Sequence, residues 1–319
     1  MTTTTALVAE YRDVDEKRLH GEIMGSYRPA ILRGFVKHWP AVALAASPED
    51  VCGYLVACDS GVPVDALLAP ASEKGRLFYQ DDMSGFNFAR RKLPVSAVIE
   101  QLARYSQFAL PPSVAIQSAP IDECLPRFGQ ENVLPFFDPS VRPRIWLGNT
   151  ITTPAHFDES NNIACVVAGR RRFTLFPPAQ AGNLYVGPLD FAPTPTPISM
   201  VDFNAPDFVR YPRFRDALAA AQVAELEPGD ALYIPTLWWH HVQSTGVLNI
   251  LVNYWWKAAG SAASPLACML DCMRQMRDMA PEHRAAWAAL FQHYVFDASD
   301  PAAHIPEHKR GVLSQTRPR

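Results

Sequence analysis

Two side chains in this sequence can offer a metal ion a foothold on one face of a strand. In Thr153-Pro-Ala-His156-Phe157-Asp158 an imidazole and a carboxylate stand two residues apart. In an extended chain, side chains two apart point the same way, so His156 and Asp158 converge while Phe157 turns into the opposite layer. Such a pair needs one more imidazole to complete a two-His-one-carboxylate triad, which holds Fe(II) on three corners of an octahedron and leaves three open. Without that third group, His-x-Asp is a weak signal that reads as a polar pair at a strand end.

A candidate third group follows downstream. Pro235-Thr-Leu-Trp238-Trp239-His240-His241 comes directly after the turn and strand Glu227-Pro-Gly-Asp-Ala-Leu-Tyr-Ile234, so a histidine again sits where a short apolar strand meets a proline-containing loop. Strand alternation sends His240 and His241 to opposite faces, which leaves room for one of them as a ligand.

The elements that must hold these groups can be read from pattern. Asp15 to Ile23 carries Leu19 and Ile23 at helical spacing, and Arg28 to Val36 turns extended until Trp39-Pro40. Ser47-Pro-Glu-Asp predicts a capped helix to Cys58. A short strand is expected at 77–80, a loop at 83–88, a helix over 94–110 and a strand over 113–117. The prolines between Ser118 and Arg142 predict a meandering cover. From Arg144 to Trp256, short apolar strands alternate with turn signals, which argues for an antiparallel barrel or sandwich. The clearest are 144–147, 162–167, 172–176, 231–234 and 247–256. The long proline-rich segment from Asp190 to Ala224, helical near 213–221, is expected at a cleft mouth. After Lys257, Ser264-Pro265 and Pro281-Glu282 each open an amphipathic helix.

Composition sets outer bounds. The chain has 319 residues, 48% of them hydrophobic and 19% charged, enough for one full core with appendages. Its net charge of −3 gives no electrostatic reason to expect nucleic acid or an anionic membrane as partner. No apolar run approaches the roughly 20 residues of a membrane span, and the Met1-Thr-Thr-Thr-Thr start lacks a signal peptide's pattern, so a cytoplasmic protein is expected. Cys52, Cys58, Cys124, Cys165, Cys268 and Cys272 form no C-x-x-C pair and read as reduced thiols.

Several ordered segments resemble the JmjC-like, cupin-like 2-oxoglutarate-dependent oxygenases, and within them the asparaginyl hydroxylase that inhibits hypoxia-inducible factor. They are Arg28-Pro-Ala-Ile-Leu-Arg-Gly34, Trp39-Pro-Ala41, Ile145-Trp-Leu-Gly148, Thr153 to Asp158, Leu175-Phe-Pro-Pro178, Val201-Asp-Phe203, Pro228-Gly-Asp230, Tyr233-Ile-Pro235, Trp238-Trp-His240 and Val252-Asn-Tyr-Trp255. The resemblance implies a mainly β fold. Its double-stranded β-helix (jelly-roll, cupin-like) core spans 144–259, flanked by N-terminal α/β elements in 1–143 and C-terminal helices in 260–319. It selects His240 over His241 as the iron ligand beside His156 and Asp158. It implies Fe(II), 2-oxoglutarate as co-substrate and O2, with a protein side chain or small molecule hydroxylated as 2-oxoglutarate becomes succinate and CO2. Oxidative N-demethylation would use the same residues, and a non-catalytic cupin-like binding protein is the reading from another class. The related hydroxylases dimerise through C-terminal helices, so a homodimer is expected.

The resemblance also distributes roles around the iron. Arg171, in Gly169-Arg-Arg171, occupies the position of a family lysine that holds the distal carboxylate of 2-oxoglutarate, and Thr153 matches a hydroxyl donor to that carboxylate. Ala115 stands where the asparaginyl hydroxylase has a tyrosine for the same co-substrate, so the change to arginine reads as compensation. Asn162 and Asn253 match polar neighbours of the iron site, and Trp255 an aromatic wall. Gln117 and Ser160 are candidate substrate contacts, with Ser160 replacing a peptide-gripping glutamine.

Overall fold

The computed structural model describes residues 6–257 and 264–314. Twelve strands join one sheet: β1 (Ala6–Leu7), β2 (Ala9–Arg12), β3 (Ala30–Arg33), β4 (Val64–Ala69), β5 (Ala89–Leu93), β6 (Ser113–Pro120), β7 (Arg144–Gly148), β8 (Ile151–His156), β9 (Asn161–Phe176), β10 (Gln222–Leu226), β11 (Ala231–Ile234) and β12 (Trp239–Trp256). The architecture is a cupin-like jelly roll built on two long strands. β9 and β12 pair antiparallel from Trp239 opposite Phe176 to Trp256 opposite Asn161. On its other edge β9 takes β10 along Arg171–Leu175 and β11 along Asn162–Cys165. β12 likewise takes β8 along His240–Ser244 and β7 along Asn249–Asn253.

A strand serving both halves of a barrel must bend in the middle. β9 does so at Gly169, whose φ of +75° suits glycine, and where a Cβ would run into the Asn249 carboxamide and the Leu248 carbonyl. β12 answers with Gly246 at φ +92° and a register shift between Thr245 and Ile250. The sequence pattern predicts separate strands over 162–167 and 172–176. The glycine bends the ladder without ending it, so one strand results.

Residues before 144 extend the sheet from both sides. β7 continues through β6 and β4 to β5, while β11 continues through β3 to β2. Asp230 of the Pro-Gly-Asp segment makes the second junction: its carboxylate accepts from the Gly34 amide at 2.9 Å and from Arg33 Nη1 at 2.6 Å. That motif is therefore structural. The main core packs helices Pro48–Cys58 and Val95–Tyr105 against the sheet through Val51, Leu55, Val98 and Leu102. Ser47 caps the first of these by accepting from the Asp50 amide, as its sequence predicts. A second cluster, with Ala164, Val166, Phe173, Leu175, Leu232 and Leu251, fills the barrel interior. Each such large side chain contributes about 1.5–3 kcal/mol by leaving water.

Three expectations need correction. Residues 77–80 form no strand beyond an isolated bridge at Tyr79, and the neighbouring strand is Ala89–Leu93, whose Arg90-Arg91-Lys92 run hides its edge pairing. The cover over 118–142 contains two short helices, Ile121–Cys124 and Pro126–Glu131. Pro120 and Pro126 stand at their N-termini, where a missing N–H costs nothing, so these prolines start helices. The turn at Leu19–Ile23 is a π-helix following an α-helical Glu16–Arg18.

The chain divides into two compact units, Met1–Ala259 and Gly260–Arg319. The second contains helices Pro265–Met276 and Pro281–Phe291, neither with a buried residue. No helix among the described residues is long and apolar enough to cross a membrane. All six cysteines are free.

Candidate metal centre

Strand register brings the two histidines together. His240 on β12 lies directly across from His156 on β8, and the imidazole centroids are 4.3 Å apart. In each ring Nδ1 faces the carbonyl two residues earlier: Pro154 at 2.9 Å for His156, Trp238 at 3.0 Å for His240. A carbonyl can only accept, so Nδ1 carries the proton and Nε2 keeps a free lone pair. His240 Nε2 stands 3.7 Å from Asp158 Oδ2, and ligand atoms of His156, Asp158 and His240 all lie within 4.8 Å of one another. Burial, reinforced by the neighbouring His240, pushes the His156 pKa down, which keeps that lone pair available at neutral pH.

The neighbours of these residues point elsewhere, as alternation requires. Phe157 packs edge-on against Trp239 at 4.9 Å. His241 stacks on Phe203 at 4.4 Å, and burial pushes its pKa down to about 3, so it is a neutral packing residue.

Below the histidine rung the inward faces are ordered. Val242 pairs with both Thr153 and Phe173, and Ser244 pairs with Ile151 and Arg171. A bulge at Pro154-Ala155 absorbs the odd residue between His156 and Thr153. Arg171 therefore starts four strand residues, about 13 Å at roughly 3.3 Å per residue, below the His240 rung. Arg171 is half-buried and lines the cleft. Burial pushes its pKa down to about 10, so it stays charged at neutral pH. It makes no ion pair among the described residues, and its Nε is buried with no hydrogen-bond partner.

These groups line one cavity of ≈ 360 Å³. Its walls include Gln117, Thr153, His156, Asp158, Asn162, Arg171, His240, Asn253 and Trp255. Ser160 is not among them. It sits in the bend between β8 and β9, where strand alternation from Asp158 no longer applies. Asn253 donates to Asn162 Oδ1 at 2.8 Å, while its own Oδ1 is buried and unpaired.

The sequence reading passed over Arg90 and Trp146 as cleft residues; the rim segment Ala192-Pro-Thr-Pro195 lines the same cavity. Arg90 Nη2 donates to the Pro193 carbonyl at 3.1 Å, which pins the rim across the mouth. That segment is part of the proline-rich stretch expected there. Trp146 faces the cleft with its Nε1 buried and unpaired. Ala115, Trp146, Thr153 and Arg171 line a small adjoining void of ≈ 20 Å³.

Comparison with known proteins agrees with this geometry. A model of the family described as cupin-like domain matches residues 16–262. The chain belongs to the cupin-like JmjC oxygenase family. Members of this family are Fe(II)- and 2-oxoglutarate-dependent. Among curated relatives, the chain is 28% identical over 237 residues to Jumonji C domain-containing protein 5 of Drosophila melanogaster, covering 72% of this chain and 55% of that protein. It is 28% identical over 258 residues to the human bifunctional peptidase and (3S)-lysyl hydroxylase JMJD7, covering 72% of this chain and 77% of that one. A 103-residue stretch is 36% identical to lysine-specific demethylase JMJ31 of Arabidopsis thaliana, covering 32% of this chain and 18% of the plant protein. The cupin-like chain thus spans about half of its fly relative and a smaller part of the plant one.

Proposed function

We propose that the protein is an Fe(II)/2-oxoglutarate-dependent hydroxylase of a protein side chain or small molecule, with the metal held by His156, Asp158 and His240. The donor set suits the ion: two imidazoles with free Nε2 lone pairs and one carboxylate, gathered on one side of a cavity with space opposite. When bound, Fe(II) with 2-oxoglutarate and O2 supplies the oxidation of a C–H bond, as 2-oxoglutarate leaves as succinate and CO2.

The chain's own residues do the positioning. The observation that carries the reading is Arg171, a guanidinium lining the same cavity that makes no ion pair among the described residues and whose buried Nε has no hydrogen-bond partner. Burying an unpaired cation is costly, and a dicarboxylate reaching down from the metal would offset that cost. Thr153, one rung above, presents a hydroxyl to the same carboxylate, and Asn253 and Asn162 line the wall beside the metal. Phe173, Val242 and Leu251 keep water from the path between metal and arginine. Substrate enters between the Arg90–Pro193 rim and Trp255, past Gln117.

A homodimer belongs to the same proposal. Met269, Met273, Trp287 and Leu290 on the two C-terminal helices, with Tyr294 in the π-helical turn Gln292–Phe296 that follows, are 37–51% exposed, and a second copy of the chain would cover such faces symmetrically.

The co-substrate assignment is tested by anaerobic calorimetric titration of 2-oxoglutarate into Mn(II)-loaded protein. Arg171→Ala is expected to weaken binding about 10- to 100-fold, the value of a charge-assisted hydrogen bond. Arg171→Lys should recover part of it. Equal affinity in the alanine variant would remove Arg171 from the role.

A further inference from the structure

Trp255 does more than wall the cleft. Its indole Nε1 donates to Asp158 Oδ2 at 3.0 Å, and this is the oxygen that faces His240 Nε2. An indole N–H can donate and never accept, so the direction of the bond is fixed, unlike one from a hydroxyl or an amide. From this geometry we infer that Trp255 is a positioning residue for the metal-binding carboxylate, an inference that rests on the metal centre proposed above.

Asp158 needs such a partner because of where it sits. His156 is the last residue of β8, and Asp158 lies beyond it in a stretch with no ladder pairing. Its backbone is tied down by the Leu237 amide, which donates to its carbonyl at 2.9 Å, and by the Thr236 hydroxyl at 3.3 Å. Neither bond fixes the side-chain torsions. Among the described residues, two side chains donate to Oδ2: Trp255, and Asn162 Nδ2 at the outer limit of 3.5 Å. Trp255, by contrast, stands on the regular ladder of β12, paired with Asn162 of β9, and its ring meets the edge of Trp146 at 6.3 Å. The rigid strand thus orients the carboxylate of an irregular segment.

Asn253 and Trp255 point the same way on β12. Asn253 holds Asn162, and Trp255 holds Asp158. Partners that orient a metal-binding side chain typically change metal affinity 10- to 100-fold when removed.

The test is Mn(II) affinity of the full-length chain without 2-oxoglutarate, by equilibrium dialysis with electron paramagnetic resonance detection of free ion. Parent and Trp255→Phe are compared at a temperature where circular dichroism shows both fully folded. Phenylalanine keeps an aromatic wall and removes the donor. The expected result is a 10- to 100-fold loss of Mn(II) affinity, accompanied by a changed Co(II) d–d spectrum. Equal affinity and an unchanged spectrum would overturn the inference and leave Trp255 a wall. Failure of the parent chain itself to bind Mn(II) or Co(II) is a separate outcome, which overturns the metal centre and Trp255's role with it.

Discussion

His240 and His241 adjoin in sequence and have opposite duties. Each is buried, yet one ring keeps its Nε2 toward Asp158 while the other lies flat on Phe203. The prediction at this scale is therefore a contrast. His240→Ala should lose measurable Mn(II) uptake, whereas His241→Phe, which preserves a flat apolar ring, should retain it within about threefold, read in the same dialysis experiment. Loss of uptake in the second variant alone would exchange the two assignments. The His156-Phe-Asp158 spacing was legible in sequence, although β8 ends at His156 and Asp158 lies just beyond the ladder. Trp255's hydrogen bond was not, because a donor and acceptor 97 residues apart meet only through the register of β12 on β9. Arg171 was found by resemblance, and its lack of an ion pair among the described residues became visible only in the fold.

At the scale of elements, the site depends on one bend. Gly169 lets β9 pass from the half that pairs with β11 to the half that carries Arg171. Gly169→Ala adds a Cβ against the Asn249 carboxamide and the Leu248 carbonyl at a positive φ. The expected cost is about 3 kcal/mol, seen as a lower midpoint in denaturant unfolding with an unchanged slope. A midpoint equal to the parent's would show that the bend does not need glycine. The strand pattern of 144–256 was readable from alternation, but continuity through Gly169 was not, since glycine signals a turn and a bend alike. The two short helices after Pro120 and Pro126 were missed for a similar reason: a proline that breaks one element can open the next.

For the whole molecule, the two units pose different questions. The apolar faces at Met269, Met273, Trp287, Leu290 and Tyr294 were legible from helical spacing, but their cover is a matter of a second chain. A Trp287→Glu, Leu290→Glu double variant is expected to run as a monomer in light scattering where the parent runs as a dimer. Identical masses for the two would remove these helices from the interface. The proposed metal centre lies in the first unit, and there the central claim is that His156, Asp158 and His240 support 2-oxoglutarate turnover. The most direct measurement is succinate formed from 2-oxoglutarate by purified protein with Fe(II) and ascorbate in air, alongside an anaerobic control and Asp158→Ala. The account predicts slow succinate formation that requires both O2 and Asp158. Turnover that persists in Asp158→Ala would contradict it, as would a parent protein that binds Fe(II) and 2-oxoglutarate yet makes no succinate.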